Sequence, residues 1–227
     1  MANEPEQTKV SSFLLPFYSP FTPLSLPLII LNDMLIALQK KHDNIAEYLL
    51  YMWQLEDLLR ACNCDTDRVV TLADRFRNIE GMDDEKIAAI RQWYCDLAAM
   101  MLAEGKREKG HLQININTLL DLTDLHLMLL KSEKDAIYTS AFYSTLPYIV
   151  ELRSKEGTEP VGEIETCFTA LYGVLLLRLQ KKPIGKETEV AVAQIGKFLG
   201  LLSEKYKQWK SGELKFEEEE ETDPLCP

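Results

Sequence analysis

The side chains with the most chemical potential fall in one stretch, Asn44 to Arg60, which reads NIAEYLLYMWQLEDLLR. A period of 3.6 residues puts Glu56 near the middle of an apolar stripe formed by Ile45, Leu49, Met52 and Leu59. A carboxylate buried there must be paired or hydrogen-bonded, because otherwise its charged form is disfavoured. Arg60 follows at i+4, the spacing at which a guanidinium reaches back to a carboxylate on the same helix. Two readings compete. One is an ion pair within the helix or across to a neighbour, contributing on the order of 0.3–0.5 kcal/mol if exposed. The other is a polar pocket of Glu56, Arg60 and Trp53, in which the guanidinium grips an anionic ligand group through two parallel hydrogen bonds.

His126 is placed by periodicity on an apolar face beside Leu119, Leu122 and Leu130, with Asn117, Asp121 and Asp124 opposite. Such a histidine serves as a hydrogen-bonded core residue, or as a metal ligand if Glu56 or Glu47 meets it from another helix. The two helix-borne Glu-x-x-His motifs of carboxylate metal bundles do not occur, so no metal is expected. The remaining histidines, His42 and His111, sit near helix ends in charged company and read as facing solvent. Cys62 and Cys64 lie where the first long helix ends and lack a second pair, which makes them incidental thiols rather than a metal or redox site. No serine or cysteine stands at a recognisable spacing from a histidine and an orienting acid, and no glycine-rich phosphate loop is present. No catalytic residue or cofactor is indicated, and the candidate ligand-pocket set is Glu56, Arg60, Trp53 and His126.

The elements that position these residues read as helices throughout. The first runs from about Met34 to Cys62, apolar on several sides as a central helix is. Asp65 caps a short segment carrying Val69, Val70, Leu72 and Phe76, closed by Gly81, and Asp83 or Asp84 caps a third helix that ends near Gly105. Leu112 to Leu130 gives a fourth. Asp135 to Arg153 gives another, with Pro147 inside it and a kink expected there. Pro160 opens a helix with Ile164, Phe168, Leu171, Leu175 and Leu179 at helical spacing, and Lys186 to Lys210 repeats Val192, Ile195, Leu199, Leu202, Tyr206 and Trp209 on one side. The best strand candidate, LQININ at Leu112 to Asn117, flows into a leucine-rich helical pattern. The expectation is therefore all-α, a single antiparallel bundle of about six helices over residues 34–212.

The ends differ from the middle. Residues 1–33 hold five of the ten prolines, Pro5 and then Pro16, Pro20, Pro23 and Pro27 within the apolar run from Ser11 to Leu31, which cannot sustain a membrane-spanning helix and lacks a signal-peptide cleavage site. They read as an extension, disordered or upstream of a true start at Met34. Residues 213–227 carry seven acids against one lysine, six of the eleven net negative charges of the chain, and read as a disordered acidic tail. The body is then only mildly acidic and has no basic stripe, so neither nucleic acid nor an anionic membrane is an expected partner. Five cysteines without framework spacing point to a reducing cytoplasm.

NIAEYLLYMWQLEDLLRA, preceded by LIALQKKHD, resembles the uncharacterised helical domain-of-unknown-function family 4924 of Bacteroidetes, over roughly Met34 to Gly212. The resemblance implies a cytosolic bacterial helical protein with no assigned activity, cofactor or site. Taken with the residues, it leads to the expectation of a non-enzymatic protein-interaction or scaffold domain, with a protein partner or a homodimer formed through an exposed helix face. The alternative is a small-molecule or metal-binding bundle around Glu56, Arg60 and His126.

Overall fold

A computed structural model describes residues 41, 43–78, 82–156 and 162–216. The two chain ends, and with them the reading of residues 1–33 and of the tail from Glu217 onward, lie outside the described residues, as do His42, Gly81 and Pro160. Seven α-helices are present and no strand occurs among the described residues: α1 Ile45–Ala61, α2 Thr66–Asp74, α3 Asp84–Ala103, α4 Gln113–Ser132, α5 Ala136–Glu156, α6 Glu163–Leu179 and α7 Lys186–Lys210, with a 3-10 turn at Arg75–Asn78. LQININ lies at the start of α4, so the competing strand reading loses to the leucine periodicity that follows it.

The chain starts and stops these helices by local chemistry. Asn44 caps α1 by accepting from the backbone N–H groups of Ala46 and Glu47 at 3.1 and 3.2 Å. Asp65 and Asp83 do the same for α2 and α3. After α3 the left-handed Gly105 lets the N–H of Lys106 return to Met101 O and that of Gly105 to Leu102 O, the Schellman closure that satisfies otherwise orphaned carbonyls. After α1 both Asn63 and Cys64 take positive φ; asparagine tolerates this, and the corner turns the Cys64 thiol into the core. Pro147 lies inside an unbroken α5, with Tyr143, whose carbonyl loses its usual donor, exposed to solvent one turn earlier.

The core explains the greasiness of the first helix. α1 touches α3, α4, α6 and α7, so Leu49 on its main stripe and Tyr51 and Leu58 on the opposite side are all buried. α5 and α7 form the closest long pair and run antiparallel: Tyr138 and Phe142 meet Phe198, while Thr145 meets Gln194 one turn back along α7. α2 and α3 pack chiefly on each other, and Trp93 of α3 stacks on Tyr51 of α1. Leu214 and Phe216, the last apolar residues before the glutamate run, pack against the core. Truncating Leu49, which is fully buried at the centre, is expected to remove about 2–5 kcal/mol of stability in urea unfolding without changing the helical far-UV spectrum of the folded state.

Candidate functional site

Glu56 is 1 % exposed, and its oxygens are committed to one end of α4. Helix α4 begins without a capping side chain of its own, because Leu112 occupies the N-cap. Glu56, from α1, supplies what is missing. Its Oε1 accepts the backbone N–H of Leu112 at 2.9 Å and the Asn115 side-chain amide at 2.7 Å, and its Oε2 lies 2.6 Å from His111 Nδ1. Glu104 adds a second carboxylate by accepting from Gln113 N–H at 2.7 Å. Negative charge at a helix N-terminus meets unpaired N–H groups and the positive end of the helix dipole. The helix end thus makes a buried carboxylate tolerable, and the carboxylate lets the helix start.

Arg60 completes the arrangement from one turn further along α1. Its Nη2 lies 3.7 Å from Glu56 Oε2 and donates to the carbonyl of Gly110, its Nε donates to the carbonyl of Lys106 at 3.2 Å, and its Nη1 donates to Asp57 Oδ1 at 2.7 Å. The guanidinium is therefore spread over two carboxylates and two carbonyls of the α3–α4 loop. Asp57 Oδ2 accepts from the Tyr172 hydroxyl of α6 at 2.5 Å. Burial, and after it the Asp57 charge, push that hydroxyl above the ordinary tyrosine range, so it keeps its proton and donates. Trp53 closes one side. Its indole stacks on the His111 ring at 4.2 Å with planes 15° apart and meets the Tyr172 ring edge-on at 5.6 Å.

The structure brings Glu56, Arg60 and Trp53 into one cluster, and His111, read as facing solvent, joins them half-buried. His126 stands in other company. It is buried among Tyr138, Phe142 and Phe198, with Phe142 edge-on at 4.6 Å, and its Nδ1 is 2.7 Å from the Tyr138 hydroxyl. Burial pushes the imidazole down to about 4, partly opposed by Glu163, and pushes the tyrosine up. The histidine is accordingly neutral at neutral pH and accepts the hydrogen bond that Tyr138 donates. Glu47, the other carboxylate considered for a metal, is exposed near the Asn44 cap, 3.1 Å from the Asn44 amide. No group of three metal-ligating side chains is found among the described residues.

Asp57, His111, Asn115 and Tyr172 were missing from the sequence-derived set. One signal was available for two of them: a helix beginning at Leu112 with no Ser, Thr, Asp or Asn at its cap requires an acceptor from elsewhere, and His111 and Asn115 flank that gap. Asp57 and Tyr172 meet across 115 residues of sequence, which no local pattern reports. Among the described residues no cysteine carries an activated thiol. Burial raises Cys62, Cys64 and Cys167, the last to about 12, and for Cys64 the nearby Arg60 and Arg107 only partly offset it.

The fold and the polar cluster define an all-α bundle domain in which a central helix carries a buried carboxylate that caps a neighbour. The chain belongs to the family described as domain of unknown function DUF4924, whose model matches residues 34–213. No curated protein and no solved structure matches the chain.

Two outcomes test the cluster and the core histidine. Glu56→Ala is expected to cost about 3 kcal/mol in urea unfolding, since it orphans Leu112 N–H and Asn115 and leaves Arg60 short of a partner; Glu56→Gln, which keeps one acceptor oxygen, costs less. For His126 the unfolded chain takes up a proton near pH 6.5 and the folded chain only near about 4. The stabilisation is whole above pH 6.5 and drains away as pH falls towards 4, reaching a loss of about 3 kcal/mol. The stability gap between wild type and His126→Gln should narrow across that window. Parallel curves there would refute the assignment.

Proposed function

We propose that the protein is a non-enzymatic helical interaction domain that pairs with a second copy of itself through the outer face of α4. The observation that carries this reading is a stripe on that helix in which Ile116, Leu120, Thr123, Leu127 and Leu130 recur at alternating spacings of four and three residues. This is the period at which a second helix can lie alongside. Leu120 and Leu127 are 54 % and 55 % exposed, and the three residues between and beside them are half-buried. The Thr123 hydroxyl already donates to Leu119 O, so it makes no further demand on a partner. Gln113, Asn117, Asp124 and Lys131 border the stripe on one side with groups that suit the rim of an interface.

The polar cluster supports the non-enzymatic part of the reading. A ligand seeking the Arg60 guanidinium would have to displace the carbonyls of Lys106 and Gly110 as well as Asp57, and so would open the α3–α4 loop. We also place the protein in the cytoplasm. In support, Cys62, Cys64, Cys95 and Cys167 are free thiols, and no helix of the described residues is long and apolar enough to cross a membrane.

Sedimentation equilibrium tests the pairing. Wild type is expected to sediment as a dimer at micromolar concentration, and Leu120→Glu combined with Leu127→Glu as a monomer of unchanged helical content. A wild type that stays monomeric up to about 100 µM sinks the proposal.

A further inference from the structure

We propose that the outer face of α5 is a second self-association surface, on which two copies of the chain lie antiparallel across a two-fold axis between Tyr143 and Ser144. The inference does not rest on the pairing of α4. Along one side α5 turns Ile137, Ser140, Tyr143, Ser144, Pro147 and Val150 to solvent. Ile137 and Tyr143, at 76 % and 61 %, are the most exposed large hydrophobic residues among those described, and Val150 is 57 % exposed. The exposed positions from Ala136 to Ser154 include one charged side chain, Glu151, which already interacts within its own chain. The exposed side of α7, by contrast, carries Lys197, Glu204 and Lys207, as a helix facing water ordinarily does.

A surface this poor in charge disfavours a charged partner, whose ionic groups would lose water and find nothing to pair with. A second copy of the same face is uncharged too, and the face is complementary to itself under reversal. With the helices antiparallel and the axis between Tyr143 and Ser144, Ile137 falls opposite Val150, Ser140 opposite Pro147 and Tyr143 opposite Ser144. Apolar tips meet apolar tips and each ring meets a small serine, which allows close approach at a shallow crossing angle. Parallel copies would instead set the two Tyr143 rings against each other. Reversal also brings each Ser140 hydroxyl to the neighbourhood of the Tyr143 carbonyl of the second copy, whose usual helical donor is missing at Pro147.

Sedimentation equilibrium of the full chain carrying Leu120→Glu and Leu127→Glu reads this face alone, because the α4 stripe is removed, and failure of either pairing leaves the other standing. That protein should be monomeric at micromolar concentration and dimerise with a Kd on the order of 100 µM, as a small interface does. Adding Ser144→Glu, or separately Ser144→Lys, places two like charges at the axis and should leave only monomer at about 500 µM. Ser144 is exposed, so the circular dichroism spectrum should not change. Mixing those two variants in equal amounts should restore the dimer, since unlike charges then meet across the axis. Three results overturn the proposal. The starting protein stays monomeric at about 500 µM, as it would with another segment of the chain covering the face, or Ser144→Glu leaves the dimer unchanged, or the mixture associates no more than either variant alone.

Discussion

A single carboxylate in an apolar interior decides how the helices of this protein fit together. Glu56 lies on the most buried helix, where an unpaired charge would cost several kcal/mol, and the chain meets that cost by steering the uncapped start of α4 onto it. The start of α4 is therefore fixed against α1 by directional hydrogen bonds as well as by hydrophobic contact. Arg60, one turn on, ties the loop leading into α4 to the same spot, and Asp57 carries the connection to Tyr172 on α6. Three helices and a loop thereby share one polar junction. Hydrophobic burial supplies the larger energy, but it is non-directional, and junctions of this kind select one arrangement among those that bury similar area.

A second polar pair stands in the aromatic part of the core and works by another rule. His126 and Tyr138 carry no net charge at neutral pH because burial lowers the proton affinity of one and raises that of the other, so a single hydrogen bond satisfies both. Glu56 keeps company with a guanidinium, an imidazole and a helix terminus, whereas His126 is surrounded by rings. The two share residue types with metal-binding bundles, yet each is accounted for by its own neighbours.

Much of the fold was legible in the sequence. Caps at Asp65 and Asp83, the Gly105 stop and the limits of the last helix are local signals, written within a few residues of where they act. The breadth of the apolar surface on NIAEYLLYMWQLEDLLR reported its central position, because only a helix with neighbours on several sides can hide residues at nearly every angle. The partners of Glu56 were not legible. Periodicity gave its burial and i+4 spacing gave Arg60, but His111 and Asn115 arrive from 55 and 59 residues away, and Tyr172 reaches the adjacent Asp57 across 115, through a loop and two helix packings. His111 in particular was read from its charged neighbours, when the informative neighbour was the leucine after it, which cannot cap a helix. The start of the sixth helix at Glu163 rather than Pro160 follows from Gly162 taking the cap position.

The grip of Arg60 on the carbonyls of Lys106 and Gly110 has a bearing on chain length. A solvent-exposed connection such as GKREKG ordinarily absorbs extra or missing residues at little cost, since closing a slightly longer loop is entropically cheap. Here the span between two peptide oxygens must match the reach of one rigid planar group. An insertion or deletion between those oxygens would therefore pull the guanidinium away from Glu56, and a change at the surface would be felt at the buried carboxylate. The most hydrophilic stretch between α3 and α4 is thus the one whose length has least freedom to vary.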